Sequence, residues 1–314
     1  MARKDQDYRK YLSPNVLGAV KGLELRARLI VEGFLGGMHH SPHHGLSVEF
    51  ADHRVYSQGD DIRHLDWKVY GKTDKYYVKE YEQETNLSIV LAVDASDSMR
   101  FQGDKAGLSK YEYAVSLASA IAFLGLAQHD SVGLVTFDSK IRGLIKPSNN
   151  SAQWRAILRE LDQPTGSEKT SLGTVMDELA ERLSRRTLVI LISDLFDEAD
   201  VVIRGLQRLR FRHHDLIVWN VWDDDELNFS IRGPTLFEGM EDGGHLQADP
   251  DSLRSGYLQQ VERFLHAIRK ECARIQVDYH LMNTSKALDV ALATYLATRS
   301  GRLRQRSARV MGSG

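Results

Sequence analysis

Apolar positions near the start of the chain recur three and four residues apart. Between residues 14 and 34 this spacing predicts one amphipathic helix. Ser13 followed by Pro14 is typical of a helix start, so we expect Ser13 to be the cap. Gly36 and Gly37 are expected to end the helix.

From residue 87 onward the pattern changes to continuous apolar runs separated by amphipathic segments. Residues 87–93 form an uninterrupted run, as expected of a strand covered by helices on both faces. Runs of the same kind occupy residues 132–137, 188–193 and 216–221, with helical spacing between them. Strands that alternate with helices predict an α/β fold with a doubly wound, mainly parallel sheet.

The changes in pattern divide the chain into three predicted regions. Residues 1–85 are expected to form a helix and a β-rich module, in which residues 62–70 and 75–83 flank a turn and predict a β-hairpin. Residues 86–225 are the predicted α/β core. Residues 226–314 are the predicted extension, in which a strand at residues 276–282 is expected to complete the sheet.

Composition and charge narrow the class of protein. The 314 residues are 42% apolar and 27% charged, which is typical of a globular chain, and the net charge of -2 provides no overall field for nucleic acid or an anionic membrane. The single cysteine, Cys272, cannot form an internal disulfide. We find no signal peptide and no stretch long enough to span a bilayer, so a cytoplasmic protein is expected.

Oxygen-bearing side chains follow two of the predicted strands. Asp94, Ser96 and Ser98 come after the first strand, Asp194 follows the run at 188–193, and Thr170 precedes a helix. In a doubly wound sheet these strand ends share the edge where ligands bind. Carboxylate and hydroxyl oxygens suit Mg²⁺ or Mn²⁺ better than Zn²⁺, so we predict a site for one of these two ions.

The order Asp-x-Ser-x-Ser, then Thr, then Asp resembles the metal-ion-dependent adhesion site of von Willebrand factor A domains. The resemblance implies that Asp94, Ser96, Ser98, Thr170 and Asp194 fill its five positions. It also implies that the three hydroxyls ligate directly, that the carboxylates act through water, and that a partner's Asp or Glu can take an open position. The alternative is that the two serines cap the following helix and that Asp194 is a turn residue.

Residues 45–50, 54–63 and 66–68 are similar to the hallmark stretch of the bacterial "domain of unknown function 58" family, which joins it to a von Willebrand A-like domain. Genes of that family commonly accompany those of MoxR-type AAA+ ATPases. The resemblance therefore implies a non-enzymatic, metal-dependent protein-binding subunit, an adaptor or co-chaperone to a MoxR-type ATPase that also contacts a client protein through a carboxylate.

Two further segments are candidates for a function. The first is a run of both charges, which we interpret either as a docking surface or as a salt-bridged turn that orients the N-terminal module. Its candidate partner-binding residues are Asp60, Asp61, Arg63, Asp66 and Trp67. The second is the stretch of four histidines within residues 39–44, which we interpret as a polar loop, because Pro42 interrupts it and no carboxylate or cysteine lies at ligand spacing.

The sequence leaves two other functions possible. A haloacid-dehalogenase-like phosphatase also places an aspartate after its first strand and acidic residues after a later one, here Asp94 with Asp194 and Asp197. That chemistry needs a second aspartate two residues after the nucleophile, and this position is Ser96. The other possibility is an interaction module that uses no metal.

Overall fold

The computed structural model describes residues 13–39, 53–55, 70–71, 76–79, 87–104, 106–163, 171–230, 235–238, 245–289 and 291–298. The chain forms two compact units. The larger contains Met1–His39 and Asn86–Thr298, and the smaller contains His40–Thr85 and Arg299–Gly314.

The N-terminal segment folds as two helices where one was predicted. They are α1 (Pro14–Gly18) and α2 (Leu23–His39). Gly22 between them has a φ of +94°, in the left-handed region that interrupts a right-handed helix. Gly18 lies against the backbone of Gly107, and a Cβ added to Gly18 would lie 2.2 Å from the Gly107 carbonyl oxygen. The helix therefore turns where its backbone meets a second segment.

The ends of this segment also differ from the prediction. Ser13 is the N-cap of α1, but its side chain makes no capping hydrogen bond. Its carbonyl oxygen instead accepts from the amides of Val16 and Leu17, both at 3.0 Å. Helix α2 continues through Gly36 and Gly37 to His39, because a glycine that lies inside a helix weakens the helix without ending it.

The smaller unit contains a short antiparallel pair, β1 (His53–Val55) and β2 (Tyr77–Lys79), with Arg54 opposite Val78. Strand β2 lies inside the predicted segment 75–83. The described partner of β2 is β1, and Tyr70, the last residue of the predicted segment 62–70, is helical. The rest of the predicted partner lies outside the described residues.

A six-stranded sheet and the helices on its two faces make up the described part of the larger unit, together with a short hairpin. The strands are β3 (Ser88–Asp94), β4 (Ser131–Phe137), β5 (Ile141–Ser148), β6 (Leu188–Ser193), β7 (Asp215–Trp222) and β10 (Asp278–Asn283). The helices are α3 (Lys110–Ala127), α4 (Gln153–Leu161), α5 (Leu172–Arg182), α6 (Ala199–Phe211), α7 (Asp224–Asn228) and α8 (Pro250–Arg274), followed by the helical residues 291–298. The hairpin pairs β8 (Thr235–Glu238) with β9 (His245–Ala248).

The strand order in this sheet is β10-β7-β6-β3-β4-β5. All neighbouring strands are parallel except β4 and β5, which are antiparallel. The chain proceeds from β3 to one side through β4 and β5, and then returns to the other side through β6. The order therefore reverses between β3 and β6, and the crevice at their carboxyl ends is where a doubly wound sheet binds its ligands.

Alternating residues of β3 contribute to two separate cores. Ile89, Leu91 and Val93 pack with the helices α2 and α3 on one face. Val90 and Ala92 pack with α5, α6 and the end of α8 on the other face. This period of two explains why the run is apolar throughout, since both faces of the strand are buried. The sheet is thus the middle layer of three.

Helix α3 is apolar on all sides, and most of its residues are buried. Its position between the sheet and α2 accounts for this composition. Over the residues that the structure describes, no helix is both long and apolar enough to cross a membrane.

Candidate functional site

The carboxyl ends of β3 and β6 place two aspartates side by side. Asp94 is the last residue of β3, and Asp194 directly follows Ser193, the last residue of β6. Val93 and Ile192 are register partners in the parallel pair, so the two strands end at the same level. The side chains of Asp94 and Asp194 are at most 1% exposed.

Asp94 accepts hydrogen bonds at both of its carboxylate oxygens. The amide of Ser96 donates to Oδ1 over 2.9 Å, and the hydroxyl of Ser193 donates to Oδ2 over 2.5 Å. Burial and the nearby charge of Asp194 nevertheless raise the pKa of Asp94 to about 7. A positive charge placed here would stabilise the ionised form.

The two candidate serines lie next to each other beside Asp94. The Ser96 and Ser98 hydroxyl oxygens are 3.2 Å apart and share one hydrogen bond, which leaves lone pairs on both. Ser96 precedes a 3₁₀ turn (Asp97–Arg100) and makes no side-chain capping bond to it. Neighbouring ligands of an octahedral Mg²⁺ lie about 3 Å apart, so this spacing of the hydroxyls fits the ion.

A buried lysine that the sequence interpretation missed holds the second aspartate. Lys110 Nζ donates to Asp194 Oδ2 over 2.8 Å and to Glu226 Oε1 over 2.7 Å. The lysine is 1% exposed. Burial alone would lower the pKa of Lys110, but the charges of Asp194 and Glu226 outweigh burial and raise the pKa above its usual value.

Two capping boxes fix the ends of this ion-pair network. Ser109 and Glu112 cap the start of α3 and so place Lys110 at its first position. Asp223 and Glu226 cap the start of α7, where the Asp223 amide donates to Glu226 Oε2 over 2.9 Å. Both partners of Lys110 are therefore held in place by backbone contacts. The local sequence signal is the Ser-x-x-Glu motif at Ser109, which predicts a helix start at the lysine.

Asp223 also secures the loop that follows the serines. Its Oδ2 accepts from the Gly103 amide over 3.2 Å and from the Thr284 hydroxyl over 2.7 Å. A Cβ at Gly103 would lie 2.2 Å from Asp223 Oδ1, so a larger residue here would have to displace this carboxylate. The ends of β3, β7 and β10 are thereby joined at one edge.

The loop after Asp194 exposes an aromatic side chain at the same edge. Leu195 is buried and has a φ of +57°, which turns the chain sharply outward. The amide of Phe196 donates to Asp194 Oδ1 over 3.1 Å, while its ring is 60% exposed. The ring borders an open groove of about 430 Å³ that Trp222 and Phe264 also line.

Several predicted site residues lie outside the described residues. These are Thr170 in the proposed ligand set, the residues of the charged run (Asp60, Asp61, Arg63, Asp66 and Trp67) and the histidines after His39. Within the described part of the chain, no three His, Cys, Asp or Glu side chains come together as a metal-ligand group. A cation at this edge would therefore need the serine hydroxyls as well as the carboxylates.

The sheet order, the antiparallel edge strand and the crevice between β3 and β6 define a von Willebrand A-like fold with a Rossmann-type, three-layer arrangement. Residues 52–266 match the model of the family described as "Protein of unknown function DUF58". The chain belongs to this family. That match gives no support to the phosphatase alternative.

Relatives with curated sequences include uncharacterized proteins of Mycobacterium tuberculosis and Mycobacterium bovis. Each is 26% identical over 233 residues, which cover 73% of this chain and 72% of the mycobacterial protein. Similar solved structures include the conserved hypothetical protein BatB from Bacteroides thetaiotaomicron, with a TM-score of 0.45 and 15% identity over 69% of this chain and 100% of BatB. The VWA domain of SpRpn10 has a TM-score of 0.40 and 13% identity over 67% of this chain and 94% of that domain.

Proposed function

We propose that the protein is a non-enzymatic, metal-dependent protein-binding subunit that acts as an adaptor or co-chaperone to a MoxR-type AAA+ ATPase. The observation that carries the proposal is the convergence of Asp94, Ser96, Ser98 and Asp194 in the crevice between β3 and β6. The family resemblance supplies the ATPase as partner, and a von Willebrand A-like fold suits an interaction module.

In this proposal the hydroxyls of Ser96 and Ser98, together with Thr170, hold Mg²⁺ or Mn²⁺ directly. Asp94 and Asp194 contribute through water. When bound, the ion supplies a Lewis-acidic position that takes a carboxylate from a partner protein. The protein itself keeps the Asp94 carboxylate away from solvent. Among the described residues, this carboxylate accepts hydrogen bonds but has no cationic side chain in direct contact.

The rest of the partner's contact surface is proposed to lie beside the ion. The exposed ring of Phe196 and the adjoining groove offer apolar area two residues from Asp194. Aromatic side chains next to a polar anchor are typical centres of binding energy. The charged run around Trp67 is proposed as a second contact, and the cytoplasm as the compartment.

Calorimetric titration with MgCl₂ tests the metal part of the proposal. Wild type is expected to release or absorb heat with one saturable transition, and Asp94→Ala and Ser96→Ala are expected to abolish it. Ser151→Ala, which removes an exposed hydroxyl from another part of the chain, is the matched control and should behave as wild type. Identical heats in wild type and both site variants would contradict the proposal.

Turnover assays test the non-enzymatic part. Position 96 holds a serine where an aspartyl phosphatase needs its acid and base, so no hydrolysis of an aryl phosphate is expected with Mg²⁺ present. Turnover that disappears in Asp94→Asn would overturn this assignment and favour the phosphatase.

A further inference from the structure

Both oxygens of Asp194 already accept hydrogen bonds from the protein. Oδ1 accepts from the Phe196 amide over 3.1 Å, and Oδ2 accepts from the Lys110 ammonium over 2.8 Å. The second contact is an ion pair between side chains that are each at most 2% exposed. A contact of this kind is stronger than a neutral hydrogen bond, so Oδ2 is the less available of the two oxygens.

The other partner of Lys110 keeps the ammonium in this position. Glu226 Oε1 accepts from Nζ over 2.7 Å, and Glu226 Oε2 accepts from the amide of Asp223. The aliphatic stem of the lysine has no exposed route by which to leave, because the residue is 1% exposed. The ammonium is therefore a built-in cation at the border of the candidate metal site.

Stability alone is a weak reason for this arrangement. Moving two charges out of water opposes folding, and buried ion pairs are often replaced by apolar residues with little loss. Lys110 pairs with two carboxylates, those of Asp194 and Glu226, so one positive charge faces two negative charges and the lysine does not neutralise the group. Its defined effect is on one oxygen of Asp194.

We propose that Lys110 is a positioning residue that reserves Oδ2 of Asp194 and thereby makes the site select Mg²⁺ over Ca²⁺. Ca²⁺ takes six to eight oxygens and readily uses both oxygens of one carboxylate, whereas Mg²⁺ requires a smaller octahedral set of single donors. With Oδ2 paired to the ammonium, Asp194 cannot bind Ca²⁺ directly through two oxygens, but it can still hold a water of Mg²⁺, which keeps several waters. This inference rests on the proposed function, because it assumes that the site binds a divalent cation.

The test compares Glu226→Gln with the double variant Lys110→Met/Glu226→Gln in the full chain. Methionine keeps an unbranched side chain of similar length, and the glutamine removes the charge that a lone Lys110→Met would leave buried without its partner. Both variants break the ion-pair network, but only the double variant frees Oδ2 of Asp194. Dissociation constants for MgCl₂ and CaCl₂ are measured by calorimetry.

We expect wild type and Glu226→Gln to share the same preference for Mg²⁺, and the double variant to shift the ratio of the two constants toward Ca²⁺ by about tenfold or more. An unchanged ratio in the double variant would overturn the inference while leaving the proposed function intact. Wild type that binds neither ion would overturn the proposed function, and the inference with it.

Discussion

The substitution Asp94→Asn should remove a pH-dependent loss of stability from the metal-free protein. The pKa of Asp94 is about 7, against 3.8 for an ordinary aspartate, because burial and then the charge of Asp194 oppose ionisation. Between these two pH values the folded protein binds a proton that the unfolded chain has already released. Stability therefore falls as the pH rises from about 4 to about 7, and the loss is complete above pH 7.

The magnitude follows from the two pKa values. Each unit of difference corresponds to about 1.4 kcal/mol, so the full loss is at most about 4 kcal/mol. Asparagine has nearly the same size and can still accept from the Ser96 amide, while the Ser193 hydroxyl can turn to accept from the new amide group. With metal removed by EDTA at pH 8, Asp94→Asn should thus be more stable than wild type, by up to about 4 kcal/mol.

Urea denaturation in EDTA at several values between pH 4 and pH 8 measures this difference. Comparison with the variant isolates Asp94 from His214 and His280, whose pKa values are lowered by burial and which therefore make stability rise with pH. Addition of Mg²⁺ at pH 8 should restore stability to wild type and leave Asp94→Asn unchanged. Curves for the two proteins that run parallel across this pH range would refute the reasoning.

Two further predictions use matched pairs of substitutions. Gly205→Ala should destabilise the fold by about 1–3 kcal/mol in urea denaturation, because the new Cβ would lie 2.4 Å from the sulfur of Met176. Gly256→Ala should stabilise the fold by up to about 1 kcal/mol, because nothing lies within 4 Å of the new Cβ and alanine favours a helix. Equal effects at the two glycines would contradict the packing of α5 against α6. Phe196→Ala should weaken binding to the proposed partner, a MoxR-type ATPase, by about tenfold or more in surface plasmon resonance. Phe211→Ala, which removes an 84% exposed side chain at the other end of α6, should not. A larger effect at Phe211 would move the contact surface away from the proposed site.

The sheet was predictable because its strands are buried on both faces. The runs predicted at residues 87–93 and 188–193 coincide with β3 and β6 to within one residue at each end. The break between α1 and α2 was missed because the apolar spacing continues across Gly22, the residue with the left-handed φ, and because the contact of Gly18 with Gly107 is not local in the sequence. The same reason applies to the pairing of β2, because a three-residue strand carries little periodicity.

The candidate site was predictable only where strand ends determine it. Asp94 and Asp194 follow apolar runs, so the edge rule for parallel sheets brings them together. Lys110 was missed because its second partner, Glu226, is 116 residues away in the chain and charged residues are rarely buried. The Ser193 hydroxyl was missed for a similar reason, because its hydrogen bond to Asp94 spans 99 residues.

Binding of the proposed partner ATPase in Mg²⁺ and in EDTA tests the central claim most directly. The measurement is the dissociation constant of wild type for the MoxR-type ATPase under both conditions, repeated with Ser96→Ala and Thr170→Ala. Tight binding in Mg²⁺ that is lost in EDTA and in both variants is the predicted result. Equal affinity in Mg²⁺ and EDTA, unaffected by either substitution, would contradict metal-dependent recognition of this partner at the carboxyl edge of β3 and β6.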